Sequence, residues 1–181
     1  MDLSWIINHD SWVHLDKDNY FAHYVTLLYI LAVNEKLKPL VEIGVEVGYS
    51  TKHLLLAAKA LDSKLYSVDI LDRSNIANKL PRELKDRWIF INSDSVKAGE
   101  NWKEEKIGLL FVDGNHDYKG VLADLKAWYP HVKANGIIAM HDCHYDSDVM
   151  KAVTDFFKGR NVEIFVIGGV LGMAIVRKLE T

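Results

Sequence analysis

From residue 39 onward the chain is organised by five short apolar runs, each closed by a polar residue. They are LVEIG (40–44), KLYSVDI (64–70), WIFIN (88–92), IGLLFVD (107–113) and GIIAMHD (136–142). Near-continuous runs of this kind mark strands buried on both faces of a parallel sheet. The stretches between them repeat at helical spacing instead. Residues 118–129 set Val121, Leu122, Leu125 and Trp128 on one face, and residues 148–158 do the same with Val149, Val153, Phe156 and Phe157. Upstream, residues 19–36 carry Phe21, Tyr24, Leu28 and Leu31 at that spacing, which predicts an extra helix before the first strand. The tail breaks the alternation: NVEIFVI, Gly168-Gly169 and LGMAIVRK read as two strands joined by a tight hairpin. The expected architecture is α/β, with a mostly parallel seven-stranded sheet that ends in an antiparallel hairpin.

Composition narrows the partners. With 181 residues, 49% apolar and 26% charged, the chain suits one ordinary soluble core and excludes disorder. Residues 39–181 are expected to form that domain, and residues 1–38 a helical extension serving as a lid or a dimer element. A formal net charge of −3 offers no basic footprint for a nucleic-acid backbone. Cys143, the single cysteine, excludes an internal disulfide and a Cys-rich zinc site. The longest apolar run, 25–33, is interrupted by Thr26 and too short to span a bilayer, so no membrane partner is expected. The opening MDLSWIINHD lacks the basic residues and long apolar stretch of a signal peptide, which makes the cytoplasm the expected location.

In open parallel sheets, ligands bind at the carboxyl ends of the strands, so the residues closing each run carry the chemistry. After the first run, Gly44 and Gly48 allow a sharp turn and close approach of a ligand, and Ser50 or Thr51 can cap the next helix. The spacing is G-x-x-x-G rather than the G-x-G-x-x-G of dinucleotide sites, and Glu46 in the turn would repel a pyrophosphate. A zwitterionic or cationic ligand fits better. Asp69, closing the second run, either accepts hydrogen bonds from a ribose diol or caps a loop, and the glycine turn upstream favours the ribose. Asp94, after the third, either meets an adenine amino group or caps a helix.

The ordered set E-x-G-x-x-x-G-x-S-T, SVDI, NSDS, LLFVDGNHDYKGVLADL and NGIIAMHD resembles class I S-adenosylmethionine-dependent methyltransferases. It is most similar to the small branch reading V-D-G-x-H-x-Y after strand four, which is related to metal-dependent O-methyltransferases. The resemblance spans roughly residues 39–178 and implies a Rossmann-like sandwich. By resemblance, Glu42 and the Gly44–Gly48 turn, with Ser50 and Thr51, hold the methionine part of S-adenosylmethionine. Asp69 and Ile70 take the ribose side, Asp94 lies beside the adenine, and Asp113 touches the cofactor. A cationic sulfonium with an amino group agrees with a turn lined by Glu42 and Glu46 rather than by lysines.

The same resemblance places the chemistry at the fourth and fifth strand ends. Asp113, His141 and Asp142 match the divalent-ion ligands of catechol-type enzymes, although His-Asp or Asp-Cys replaces the Asp-Asn pair of that family. A mixed oxygen and nitrogen set admits Mg²⁺, Mn²⁺, Fe²⁺ or Zn²⁺. Alternatively, Asp113 touches the cofactor while His141 and Asp142 form a structural pair. His116 stands where the catechol-type enzymes carry a proton-accepting lysine, and imidazole suits that work near neutral pH; the other reading is a helix-start histidine bonded to backbone. His116, Asp113 and His141 are therefore the expected catalytic residues, and His144, Asp146 and Asp148 either shape the acceptor pocket or start a helix. Trp5 and Trp12 suit a cover for the pocket or a homodimer contact. The expected activity is O-methylation of a small acceptor. Two other classes stay open: a metal-dependent oxygenase or hydrolase on this fold, and a non-catalytic adenosyl-nucleoside-binding module.

Overall fold

The computed structural model describes residues 20–168 and 171–180, so Trp5, Trp12 and the first half of the expected 1–38 extension lie outside the described residues. Among these described residues seven strands form one sheet: β1 (Leu40–Ile43), β2 (Leu65–Asp69), β3 (Trp88–Asn92), β4 (Ile107–Val112), β5 (Val132–His141), β6 (Val162–Ile167) and β7 (Met173–Lys178). Their order is β3-β2-β1-β4-β5-β7-β6. The first five run parallel, and β7 enters antiparallel between β5 and β6. The expected terminal hairpin is present, and its last strand is the inner one. The connection is longer than the tight turn read at Gly168-Gly169, because β7 begins only at Met173; Gly169 itself lies outside the described residues.

Among the described residues six α-helices flank the sheet: α1 (Tyr20–Asn34), α2 (Tyr49–Ala60), α3 (Arg82–Lys85), α4 (Ser95–Glu100), α5 (Tyr118–Trp128) and α6 (Asp148–Phe157). Alternation along the strands divides the core into two layers. Val41, Ile43, Leu110, Val112, Ile138 and Met140 face α5 and α6, with Trp128 buried at the centre of that layer. Leu40, Leu65, Leu109, Phe111, Ile137 and Ala139 face α1 and α2. Each successive side chain on a strand points to the opposite face, so an almost continuous apolar run serves both layers.

Two expectations need correction. WIFIN reads as a doubly buried strand, yet β3 is partly exposed along its length, because it is the sheet edge and only β2 pairs with it. Trp88 is accordingly half-buried, its indole N–H donating to Ser67 Oγ at 2.9 Å. On α1 the buried stripe runs through Tyr24, Val25, Leu28, Tyr29 and Ala32, while Leu31 is only half-buried. Leu31 lies to one side of the line that rests on the sheet. Among the described residues no helix is long and apolar enough to cross a membrane.

Candidate active site

The chain order reverses between β1 and β4, and strands diverging at such a point leave a crevice beyond their carboxyl ends. Two turns close over it. Gly44 leaves β1 at φ 88°, and a side chain there would place its Cβ 2.1 Å from the Asp113 carbonyl oxygen. Only glycine lets the turns after β1 and β4 come this close. Gly48, at φ 80°, is the N-cap of α2 and packs against Ile76.

Behind this turn lies Glu42, fully buried on β1. Its carboxylate accepts from Ser50 Oγ at 2.5 Å, Thr51 Oγ1 at 2.8 Å and Ser67 Oγ at 2.7 Å, tying the first turn of α2 and the middle of β2 to β1. Glu42 and Thr51 are thus placed to hold the wall rather than to meet a ligand. Burial pushes the Glu42 carboxyl up to about 7 against those three hydrogen bonds. Its folded-state value exceeds the ordinary 4.5. Its contribution to stability is therefore complete below the ordinary value and lost as pH rises through the folded one. Relative to Glu42→Gln, the protein should lose on the order of 3 kcal/mol over that range. Urea midpoints of the two proteins at either end of the window check this; parallel pH profiles would contradict it.

Asp69 closes β2 and points back at the turn. One carboxylate oxygen accepts from the Val45 and Glu46 backbone N–H groups at 3.0 and 3.2 Å, and the other from Leu71 N–H at 2.8 Å. Burial works against its charge, but these bonds and Arg73 outweigh it and hold the carboxyl below the usual range. Asp94 caps α4 by accepting from Lys97 N–H at 3.0 Å, the helix-cap alternative of the sequence reading. Gly44, Ser50, Asp69, Ile70, Asp94 and Asp113 line one cavity of about 610 Å³. That volume lies within the range of small-molecule and cofactor pockets. Ile70 and Val47 stand at it as exposed apolar side chains.

Asp113, His116, His141 and Asp142 close a ring of alternating acids and imidazoles. His116 Nε2 lies 3.3 Å from Asp113 and its Nδ1 3.1 Å from Asp142, while His141 Nδ1 lies 3.3 Å from both carboxylates. Asp142 holds a left-handed φ of 54°, an uncommon backbone for a residue other than glycine and the kind of strain that gathers at functional sites. Burial raises the Asp113 carboxyl, but hydrogen bonds from the two histidines more than offset it and hold it low. The same contact with Asp113 lifts His116 above the usual imidazole value. Tyr24 of α1 packs edge-on against His141, with ring centroids 5.5 Å apart, and its hydroxyl accepts from Gly172 N–H at 3.2 Å. Asp113, His141 and Asp142 each offer one ligand atom, all within 4.8 Å of one another, so two carboxylates and one imidazole fit a divalent cation.

Residues 41–143 match the protein family described as "Methyltransferase domain", which is more than half of the chain. The chain belongs to this methyltransferase family. The match begins on β1 and ends just past Asp142, so it contains both the cavity's turns and the acid–imidazole ring. No curated protein sequence matches the chain. Among solved structures the methyltransferase fold recurs in cofactor-bound Rv0187 from MTB, at a TM-score of 0.76 and 16% identity, covering 88% of this chain and 81% of that one. It recurs in the O-methyltransferase TomG from Streptomyces achromogenes in complex with S-adenosylmethionine, at 0.69 and 16%, again covering 88% and 81%. The O-methyltransferase from Bacillus cereus in complex with S-adenosylhomocysteine aligns at 0.64 and 15%, covering 97% and 88%.

Among the cavity residues that the sequence did not point to, one is a buried acid. Asp124 lies on α5 between Val121 and Trp128, buried, and lines the cavity beside Ser95. The available signal was an acid set within the apolar stripe of an amphipathic helix, where ordinary packing has no use for a charge. His144, Asp146 and Asp148 fall around the loop before α6: Ser147 caps that helix through Met150 N–H at 3.0 Å, and Asp148 opens it.

Proposed function

We propose that this methyltransferase takes S-adenosylmethionine as donor and methylates an oxygen of a small acceptor, assisted by a divalent cation held by Asp113, His141 and Asp142. The carrying observation is that Asp113 belongs to both halves of the site: it lines the nucleoside-sized cavity and is a corner of the acid–imidazole ring. The donor supplies an electrophilic methyl on a sulfonium. A cation, when bound, supplies Lewis-acid stabilisation of an acceptor oxygen as it loses its proton.

The chain's own residues do the rest. The Gly44 turn brings backbone within reach of the ligand, Asp69 braces that turn and marks the ribose side, and Ile70 and Val47 offer apolar contact to the nucleoside. His116 is half-exposed, so an acceptor entering from solvent can reach its imidazole. Asp113 and Asp142 orient its ring from both nitrogens. It serves as the general base once the acceptor hydroxyl takes the place of one of those two carboxylates at a ring nitrogen, which then receives the acceptor's proton. A hydrolase or oxygenase would leave the cavity beyond Gly44 without a role.

Replacing His116 by Gln should lower kcat by about 10²–10³, the usual scale for loss of a general base. Affinity for S-adenosylmethionine should change less than threefold (roughly 0.6 kcal/mol). Methyl transfer to a catechol or related hydroxyl acceptor, followed alongside donor binding, checks both. Unaltered turnover would remove His116 from the chemistry.

A further inference from the structure

We propose that Asp124 is a specificity-determining residue of the donor cavity, whose carboxyl group reads the six-amino edge of the adenine. The inference rests on the donor reading above and deepens it. Ser93, Asp94, Ser95 and Asp124 line the cavity together; the first three follow β3, separated in the sheet by β2 and β1 from the strands β4 and β5 that carry the acid–imidazole ring. Asp94 is engaged as the cap of α4. Asp124 comes from a different element, α5, and is only 2% exposed.

A carboxyl in that position needs a reason. Burying one is costly unless each oxygen has a partner. Ser95 Oγ donates to Oδ1 at 2.5 Å, which accounts for one oxygen. Ser95 is itself fixed, because its carbonyl accepts from the Trp128 indole N–H at 3.0 Å and Trp128 is fully buried. The pair is therefore held in place by the core rather than by a mobile loop. Burial, with Asp94 nearby, raises the Asp124 carboxyl to about 6 despite the Ser95 bond. At that value both the charged and the neutral form are accessible near neutral pH. Either form presents an acceptor to an exocyclic amino group, and the neutral form also offers an O–H donor to the adjoining ring nitrogen.

Above a pH of about 6 the ionised form prevails, and against that carboxylate a base bearing an oxo group at the same position sets acceptor against acceptor. A site built to accept from an N–H rejects the analogue lacking it, because its buried group is then left unpaired. The wild-type protein should accordingly prefer S-adenosylhomocysteine over S-inosylhomocysteine, which differ in that group, by at least about tenfold.

The test is titration calorimetry of both compounds against the wild-type protein, Asp124→Asn and Ser95→Ala, with thermal melts alongside. In Asp124→Asn the side-chain amide can turn its oxygen or its nitrogen to either base. The preference should therefore collapse to within about threefold (roughly 0.6 kcal/mol), mainly through better binding of the inosyl compound. Ser95→Ala removes the group that fixes Asp124 and should narrow the preference less. A preference that persists in Asp124→Asn, or equal weakening of both compounds, would show a purely structural carboxylate and overturn the proposal. Wild-type binding of both compounds without preference would overturn this inference alone. Failure of wild type to bind S-adenosylhomocysteine at all would remove the donor reading, and the inference with it.

Discussion

Gly44→Ala should destabilise the protein by about 3 kcal/mol or more, the upper end for a single substitution. Two effects add. An alanine at φ 88° sits in backbone space that L side chains rarely adopt, and its Cβ would lie 2.1 Å from the Asp113 carbonyl oxygen, with backbone rather than a yielding side chain in the way. The Gly44 N–H donates to Val68 O at 2.9 Å and the Asp113 N–H to Ile43 O at 2.8 Å, so displacing either turn also strains the β1–β2 and β1–β4 ladders. For a chain of this length the melting temperature should fall by about 6–12 °C. The turns after β1 and β4 should also separate, so donor affinity should fall by tenfold or more (about 1.4 kcal/mol). Melts and titrations of the purified variant check both. An unshifted melt would mean that the two turns do not meet as described.

Asp113→Asn should have the largest effect on turnover. The amide keeps the side chain's shape but replaces a charge that both His116 and His141 contact at 3.3 Å. One corner of the proposed ion site and one of the two groups orienting the proposed base change together. A fall in kcat of about 10³ is expected, in line with effects of residues that act as a unit. Stimulation by added Mg²⁺ or Mn²⁺ should vanish in the variant, and in the native protein a chelator should lower turnover reversibly. Full activity in chelator, together with an active Asp113→Asn, would leave the ring as a structural network.

Much of this site was legible before the fold was known, for a definable reason. Strands buried on both faces write their positions as apolar runs, and the residue after each run falls by necessity at the carboxyl edge, where Gly44, Asp69 and Asp113 are found. The parallel direction of the first five strands follows from the same alternation of strands and helices. What escaped depends on facing surfaces. Glu42 reads as a ligand because acids near glycine turns often are, whereas here Ser50, Thr51 and Ser67 surround it. Asp124 reads as part of a helix face, because only the approach of α5 to α4 reveals that this face borders the cavity. The exposed edge at β3 could not be seen either, since sheet order, not local pattern, decides which strand lacks a neighbour. Short elements such as α3 carry too few residues for periodicity to show.

The central claim is that the crevice at the β1–β4 reversal is a site for a sulfonium nucleoside. Calorimetric titration with S-adenosylmethionine and S-adenosylhomocysteine, with and without Mn²⁺, tests it most directly. One site per chain is predicted for either compound, with binding weakened at least tenfold in Gly44→Ala (about 1.4 kcal/mol). No heat with either compound, or saturable binding of NAD in their place, would contradict it.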